Sequence, residues 1–364
     1  MKTAFVYDWL VSLGGGERVL EALNKLYPSP IYTLVHDKSL FLDQCVHSSF
    51  IQGLPFSRKW YRYYLPFFPL AIEQFDLREY DVVLSLSHAV AKGALTHAHQ
   101  LHLCYCFTPM RYAWDLYHAH MLELSRGKRN LCALLLHYLR SWDQSSVSRV
   151  DQFAAVSKYI ARRIQKIYNR PATVIYPPVA THLFQGALPR ENFYLTVSRL
   201  VPYKRIDLLV EAFSYMPDKQ LIVIGEGPEE KKIKAKARKN VEFLGHQSDT
   251  EVRKYMMQAK AFLFAAEEDF GIVPVEAQAA GTPVIAFGRG GALETVLSEK
   301  TGLFFSEQTI ASVVEAVSVF EKSQECFDAE AIKAHASQFG EERFTREFQQ
   351  FVRAAYENHC FGRR

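Results

Sequence analysis

Two glutamates in the second half of the chain have the spacing of a sugar-binding pair. Glu268 follows an apolar, strand-like run, and Glu276 stands eight residues later in the predicted first turn of a helix. Because an ionised carboxylate accepts hydrogen bonds from two adjacent hydroxyls, such a pair suits a ribose and a hexose. Gly271, between them, lets the backbone turn closely around a ligand. The alternative is an acid that stabilises a helix N-terminus, which the small residues of 277–281 make the weaker interpretation.

A basic loop precedes this pair along the chain and could hold a diphosphate. Arg199 and Lys204 lie between a predicted strand, 193–197, and a predicted helix, 206–216. Arginine offers a planar fork of donors and lysine a mobile point charge, so together they could stabilise a departing nucleoside diphosphate. Taken alone, the loop would more simply be a solvated basic turn.

A second candidate for phosphate binding lies near the N-terminus. Gly14, Gly15 and Gly16 follow a predicted strand and open a helix, so their backbone N–H groups could approach a phosphate at the positive end of the helix dipole. The dinucleotide fingerprint is incomplete because Val19 stands where its third glycine would be. A tight turn without a ligand is an equally good interpretation.

The segment 56–69 interleaves aromatic and basic residues, among them Arg58, Lys59, Trp60 and Arg62. Cations on anionic headgroups and rings at the interface would place this segment at a membrane surface. A loop that packs on the core is the equal alternative. The other basic run, 231–239, is typical of a solvated helix face, and we expect no nucleic-acid partner.

Five potential metal ligands lie close together in the chain: His97, His99, His102, Cys104 and Cys106. Their spacing matches no zinc motif, and both cysteines fall inside an apolar run, so we predict no metal site. The six cysteines contain no CxxC pair, and Asp8 interrupts the N-terminus before a secretory signal could form. The apolar runs 63–72 and 131–139 are too short to span a bilayer. We therefore expect reduced thiols in a cytoplasmic protein.

Strand-like and helical stretches alternate along all 364 residues, which favours parallel sheets covered by helices. Two prolines at 177 and 178 and a polar stretch interrupt the alternation, so we place a domain boundary there. We predict an α/β fold of two Rossmann-like doubly wound domains facing a central cleft, residues 1–178 and residues 179–340, with a helix at 341–364 packing back on the first. The composition, 49% apolar with a net charge of +4, fits two globular cores.

Together these motifs resemble the retaining nucleotide-sugar glycosyltransferases of family 4, which have the GT-B fold. The resemblance extends over essentially the whole chain, and its most specific part is the pair Glu268 and Glu276 with the run 279–286 that follows. Other matching positions in the second half are Arg199, Lys204, 225–228 and 243–245. The first half is similar to bacterial mannosyltransferases that build O-antigen and related surface polysaccharides, on the residues 7–9, 14–19, 87–93 and 104–115.

The resemblance implies a role for each matching residue. Arg199 and Lys204 would hold the donor diphosphate, and Glu276 would bind both ribose hydroxyls. Glu268 would meet the hydroxyls of the donor sugar, and three backbone N–H groups would lie beside it, those of Phe270, Gly271 and Ile272.

Other segments would complete the donor site. Gly15 and Gly16 would close over the phosphate from the first domain, which would hold the acceptor, while the second holds the donor. The backbone after Gly245, near His246 and Gln247, would read the base.

One position departs from the pattern of the family. Many relatives carry a histidine that faces the donor sugar where this chain has Phe107, so we take the nearest histidine, His88, as a second catalytic candidate beside Glu268. Transfer with retention of configuration on this fold is described as front-face attack, in which the leaving diphosphate deprotonates the acceptor. The sequence contains no Asp-x-Asp metal clamp, which fits metal-independent chemistry with Arg199 and Lys204 in place of the cation.

The resemblance therefore implies transfer of a hexose, most simply mannose from GDP-mannose, onto a lipid-linked or polysaccharide acceptor, without a cofactor. We expect this activity at the inner face of the membrane. The alternatives are a nucleotide-sugar epimerase or a glycogen-type synthase on the same fold, and a non-catalytic nucleotide-sugar-binding module. The sequence leaves open the donor base and sugar, the acceptor, the linkage and the oligomeric state.

Overall fold

The structure, a computed structural model, describes residues 1–40, 44–122, 124–186 and 188–361. The chain forms two units. Met1–Pro178 and the segment from Phe344 onward make up the first unit, and Val179–Arg343 makes up the second. The second unit is therefore inserted between the two segments of the first.

Within the described residues, seven strands form the sheet of the first unit, in the order β3-β2-β1-β4-β5-β6-β7. Neighbouring strands are parallel throughout. Every residue of β4 and β5 is buried, as expected for parallel strands covered by helices on both faces. The strands are β1 (Thr3–Tyr7), β2 (Ile31–Thr33), β3 (Val46–Ser48), β4 (Val82–Ser87), β5 (Leu101–Cys106), β6 (Gln152–Ala155) and β7 (Ala172–Val174).

Helices cover both faces of this sheet: α1 (Gly15–Leu26), α2 (Ser57–Trp60), α3 (Phe68–Glu73), α4 (Tyr117–Leu122), α5 (Arg126–Ser145), α6 (Lys158–Tyr168) and the C-terminal helix α14 (Glu341–Phe361). On one face, Phe68 of α3 and Leu139 of α5 belong to a single core with residues of β1 and β4. On the other face, the ring of Tyr105 lies 6.0 and 5.8 Å from those of Phe344 and Phe348 on α14. The chain thus returns through α14 to complete the core of the first unit.

The second unit has six described strands, all paired in parallel, in the order β10-β9-β8-β11-β12-β13. The strands are β8 (Phe193–Val197), β9 (Gln220–Ile224), β10 (Val241–Gly245), β11 (Ala261–Phe264), β12 (Val284–Phe287) and β13 (Gly302–Phe305). The helices of this unit are α7 (Ile206–Phe213), α8 (Glu230–Lys234), α9 (Asp249–Gln258), α10 (Ile272–Ala279), α11 (Ala292–Thr295), α12 (Ile310–Ser323) and α13 (Ala329–Ser337).

The direction of winding reverses once in each sheet. In the first unit the reversal lies between β1 and β4, and in the second between β8 and β11. Loops that leave the carboxyl ends of two such strands diverge to opposite faces, which opens a crevice where ligands of α/β sheets bind. The predicted fold class, two doubly wound α/β sheets, is confirmed.

The prediction for the start of α10 was wrong. Glu276 was predicted in the first turn, but the helix begins at Ile272, so Glu276 is its fifth residue and lies beyond the first turn. Proline is tolerated throughout the first turn of a helix because the N–H groups there have no partner within the helix. Pro274 therefore occupies the first turn without marking its beginning.

Three residues of the histidine and cysteine cluster, His102, Cys104 and Cys106, are buried in β5, whereas His97 and His99 are exposed. His102 is fully buried, and its ring nitrogens lie 2.8 Å from the Ser85 hydroxyl and 2.9 Å from the Arg149 carbonyl oxygen. Burial lowers the pKa of His102 to about 4, so the ring is neutral at physiological pH. Across the described residues, no three His, Cys, Asp or Glu side chains converge as metal ligands. The same part of the chain contains no helix with the length and hydropathy to cross a bilayer.

Candidate functional site

The predicted site residues of the second unit follow the two strands at which its sheet reverses direction. After β8 the chain passes through Arg199 into a 3-10 turn, Pro202–Lys204, and Arg205 adopts a left-handed conformation at the start of α7, with a φ of 54°. After β11 the chain enters the loop that carries Glu268. Because β8 and β11 are parallel neighbours, both loops leave the same edge of the sheet.

Two glycines hold the Arg199 loop in place. A Cβ atom on Gly225 would lie 2.0 Å from the carbonyl oxygen of Ser198, and one on Gly227 would lie 2.3 Å from that of Leu200. The backbone N–H of Leu200 donates to the Glu226 carbonyl oxygen at 2.9 Å. Any larger residue at these two positions would push the basic loop away, so the motif 225–228 positions Arg199 through close backbone packing.

The structure brings together two of the predicted functional groups as an ion pair. The Lys204 ammonium contacts Oε1 of Glu268, and both side chains are half-buried. Arg199, on the same loop as Lys204, is exposed. One cation and one carboxylate from different loops therefore share a single position, where a negatively charged ligand could meet the lysine and a hydroxyl could meet the glutamate.

A second glycine pair supports the Glu268 loop, and the sequence analysis missed it. The N–H of Gly291 donates to the Glu268 carbonyl oxygen at 2.8 Å. A Cβ on Gly290 would lie 2.3 Å from that same oxygen, and one on Gly291 would lie 2.3 Å from the Cα of Phe270. The available signal was the cluster of glycines at 288, 290 and 291, directly after the strand β12.

The residues between the two glutamates form a tight turn into α10. Gly271 has a φ of +88° and caps the helix, a conformation that L side chains rarely adopt. Phe270 is buried against Phe339, with ring centroids 5.7 Å apart. Ile272 and Glu276 follow on α10, where both are partly buried. The turn thus joins the Glu268 loop directly to the N-terminus of α10.

The segment predicted to read a base lies at the end of β10. The backbone N–H of His246 donates to Oε1 of Glu226 at 3.2 Å, and the Gln247 side-chain amide donates to the Leu244 carbonyl oxygen at 2.7 Å. Glu226 therefore joins this segment to the turn that supports the Arg199 loop.

In the first unit, His88 lies at the carboxyl end of β4, at the point where this sheet reverses. Its Nδ1 lies 3.1 Å from Oδ2 of Asp8, and its ring stands edge-on to Trp9, with centroids 4.4 Å apart. Asp8 is fully buried and accepts backbone N–H bonds of 2.6 to 2.9 Å from four consecutive residues, His88, Ala89, Val90 and Ala91. These bonds fix Asp8, and Asp8 in turn orients the imidazole.

The contact of Asp8 with His88 was not predicted from the sequence. The available signal was a carboxylate placed directly after an apolar strand, in β1–Asp8–Trp9. A carboxylate is costly to bury unless several hydrogen-bond donors surround it, so an acid directly after a buried strand indicates that such donors lie nearby.

The glycine loop packs against aromatic residues of the same unit. A Cβ on Gly16 would lie 2.5 Å from the Tyr7 hydroxyl and 3.6 Å from the ring of Phe107, whereas Gly15 is exposed. Phe107 therefore occupies the neighbourhood of both Tyr7 and His88, with ring centroids 6.3 Å from each. Gly15, Gly16, His88 and Phe107 are thus grouped at one edge of the first sheet.

A carboxylate caps the helix that the glycines open. Glu17 is only 8% exposed, and its carboxylate accepts hydrogen bonds from the backbone N–H of Gly14 and from the Tyr7 hydroxyl. Burial raises the pKa of Glu17, an effect opposed by these hydrogen bonds and by the nearby His88. A phosphate brought to this helix N-terminus would meet that carboxylate, whereas a sugar hydroxyl could donate to it.

Comparisons with known proteins agree on one class, the glycosyltransferases. Residues 181–338, within the second unit, match the family described as Glycosyl transferases group 1. The GDP-mannose-dependent monoacylated alpha-(1-6)-phosphatidylinositol monomannoside mannosyltransferase of Corynebacterium glutamicum is 33% identical over 187 residues, which cover 43% of this chain and 49% of that protein. The chain spans about half the length of the curated relatives it matches.

Solved structures align over nearly the whole chain. HepE of Anabaena, crystallised in complex with UDP and also with UDP-glucose, superposes with a TM-score of 0.74 in the UDP complex at 17% identity, covering 97% of this chain and 100% of HepE. Sucrose-phosphate synthase of Thermosynechococcus elongatus superposes with a TM-score of 0.76 at 16% identity, covering 98% of this chain and 100% of that one.

These likenesses show the fold, two Rossmann-like domains with parallel sheets, as in glycosyltransferases of the GT-B fold. The family match and the curated relatives support the group 1 glycosyltransferase family.

Proposed function

We propose that this protein is a retaining glycosyltransferase of family 4, which moves a hexose from a nucleotide sugar to a lipid-linked or polysaccharide acceptor. The observation that carries the proposal is the Lys204–Glu268 ion pair at the reversal point of a sheet within the matched group 1 segment. The pair joins a cation suited to a diphosphate with a carboxylate suited to sugar hydroxyls.

Different residues of the second unit bind different parts of the donor. Lys204 and Arg199 bind the diphosphate, Glu276 binds the ribose hydroxyls, and Glu268 binds the sugar together with the turn at 270–272. As the acceptor oxygen bonds to the anomeric carbon, the bond from that carbon to the diphosphate breaks on the same face. The acceptor proton passes to the departing phosphate oxygen, whose negative charge the two cations stabilise. The chain contributes charge and position, and neither a protein nucleophile nor a metal takes part.

In the first unit, His88 is the candidate for contact with the reacting sugars, oriented by Asp8. Gly15 and Gly16 are assigned to the donor phosphate, although the Glu17 carboxylate that caps this helix favours a hydroxyl nearby. A variant such as Glu17→Gln distinguishes these ligands, because removing the negative charge should tighten the binding of a phosphate group and loosen that of a hydroxyl.

Mannose from GDP-mannose is our first choice of donor. The relative in Corynebacterium glutamicum is described as GDP-mannose-dependent, whereas HepE has been crystallised with UDP and UDP-glucose. A ligand that binds only the native state adds about 2.7 kcal/mol at a hundredfold excess over its Kd. In a panel of nucleotide sugars, GDP-mannose should therefore raise Tm by roughly 5–11 °C.

A shift with UDP-glucose and none with GDP-mannose would overturn the donor assignment. Incubation with the donor alone separates the neighbouring activities, since conversion without an acceptor indicates an epimerase. Binding of a donor with no turnover in the presence of any acceptor indicates a binding module.

Gly291→Ala should lower kcat/KM for the donor by about 100-fold. The added methyl would meet the backbone of Phe270 and displace the Glu268 loop. A displacement of about 1 Å in a binding group can lower the rate by about that factor. Steady-state kinetics and the donor Kd test this. Gly53→Ala is the matched control, since a Cβ there would meet no atom within 4 Å. Unchanged kinetics in Gly291→Ala would show that the loop tolerates the shift and does not position Glu268.

The aromatic-basic segment 56–69 supports a lipid-linked acceptor and a place at the inner membrane face. Tyr61 and Phe68 are buried in the core of the first unit, whereas Phe56 and Tyr63 are 69% and 80% exposed. The segment therefore packs on the core and also presents aromatic rings outward, beside the basic residues Arg58, Lys59 and Arg62 and the half-exposed Trp60. This combination is typical of a surface that contacts anionic headgroups.

A further inference from the structure

The helix α5 carries an apolar stripe that faces solvent. Leu131, Leu134 and Tyr138 are 72%, 68% and 46% exposed, and their spacing of three and four residues places them on one side of the helix. The opposite side packs in the core of the first unit through Leu136 and Leu139. A helix whose inner and outer sides are both apolar has more hydrophobic surface than folding of this unit requires.

The charges along α5 are of one sign at the surface. Lys128 is exposed and lies one turn before Leu131, whereas Arg129 and Arg140 are partly buried and donate to the carbonyl oxygens of Leu124 and Ala113. The single acid in the sequence of this helix, Asp143, is fully buried and paired with Lys92. The stripe therefore begins beside one exposed cation, Lys128, and the sequence of this helix supplies no surface carboxylate to oppose it.

The stripe lies on the same side of the sheet as the aromatic-basic segment. The Trp142 indole of α5 donates to Oε1 of Glu73 on α3 at 2.8 Å, and Arg149, just beyond α5, forms an ion pair with the same carboxylate. Buried residues of both segments, such as Phe68 and Leu139, belong to one core over one face of the sheet. The outward sides of α5 and of the segment 56–69 therefore both point away from that face.

We infer that the stripe on α5, formed by Leu131, Leu134 and Tyr138, docks on the surface of an anionic phospholipid bilayer as a second contact beside the segment 56–69. This rests on the proposed use of a membrane-bound acceptor. Cations match the anionic headgroups, and exposed leucines can enter the boundary between headgroups and acyl chains. Two contacts on one rigid surface bind cooperatively, because the first raises the effective concentration of the second at the membrane.

The experiment measures flotation of the full chain with vesicles of equal parts phosphatidylglycerol and phosphatidylcholine, and with pure phosphatidylcholine. The wild type should float with the anionic vesicles. Leu131→Ser with Leu134→Ser should lower its partition coefficient at least tenfold, and Lys128→Glu should lower it by a smaller factor. Val319→Ser is the matched control, since Val319 is 46% exposed on α12 of the second unit.

Equal flotation of the double variant and the wild type would overturn the inference, as would equal binding to both kinds of vesicle. A dimer of the wild type in sedimentation velocity that the double variant abolishes would overturn it too, because a second copy would then cover the stripe. Transfer to a detergent-solubilised acceptor should stay unchanged in the double variant. If the wild type shows no transfer at all but binds the vesicles through the stripe, the proposed activity fails while the docking surface stands.

Discussion

Lys204→Met should lower kcat/KM for the donor by about three orders of magnitude, equivalent to about 4 kcal/mol of transition-state stabilisation. The variant removes the cation that would stabilise the departing diphosphate. It also leaves the half-buried Glu268 carboxylate without the partner it has in the structure. A carboxylate without its cation would in addition repel the diphosphate of the donor. Both effects act in the same direction, so this variant should be among the most damaging at the site.

Steady-state kinetics with Lys204→Met, Lys204→Arg and Lys232→Ala test this expectation. Lys204→Arg keeps the charge with another geometry and should recover part of the activity. Lys232 is an exposed lysine that pairs with Glu229 on the surface of the same unit, so its removal should leave kcat/KM unchanged. If Lys204→Met retained full activity, the ion pair would be structural and the proposed donor site would lie elsewhere.

Lys92→Met should destabilise the first unit by about 3–5 kcal/mol, which would lower its Tm by roughly 6–20 °C. Both Lys92 and Asp143 are almost completely buried, and Lys92 Nζ lies 2.7 Å from Asp143 Oδ1. The ammonium also donates to the Ser146 hydroxyl at 2.6 Å. Removing the lysine leaves a buried carboxylate without a counter-charge, which costs more than the pair itself contributes.

The four tryptophans give a direct measurement, because all of them, Trp9, Trp60, Trp114 and Trp142, lie in the first unit. Urea unfolding followed by their fluorescence therefore reports on that unit. Lys92→Met with Asp143→Leu should recover part of the loss, although the Trp114 indole and the Tyr168 hydroxyl would lose their acceptor. A midpoint for Lys92→Met equal to that of the wild type would contradict the assignment of this pair to the stability of the unit.

Buried parallel strands were the elements easiest to predict, since they are continuous apolar runs between turns. The predicted strand 193–197 coincides with β8 in the structure. The edge strand β3 was missed because it is three residues long and carries an exposed His47, and β13 was missed because its apolar run, 303–305, is only three residues long and follows Gly302. Pairing with a neighbour, rather than local sequence, makes them strands.

The helix α5 was missed for a related reason. Its leucines occur on the exposed side as well as the buried one, so the run 131–139 has no clear helical period. The exposed leucines that obscure the helical period belong to the same surface that we propose to dock on the bilayer.

The residue types of the candidate site could be selected from the sequence, but their contacts could not. The pairing of Lys204 with Glu268 depends on β11 lying beside β8, although two other strands separate them along the chain. The roles of Gly225 and Gly291 depend on distances to the backbone of distant segments. Asp8 was visible as an acid after a strand, but its four N–H donors come from the end of β4, far along the chain.

The return of α14 to the first unit has a consequence for biosynthesis. Tyr105 is buried against Phe344 and Phe348, so this part of the first core is incomplete until α14 has been translated. The second unit, which is continuous in sequence, can fold as soon as it leaves the ribosome. During synthesis the first unit would therefore leave the ribosome long before the helix that completes its core, with an open apolar face around Tyr105 that chaperones could recognise.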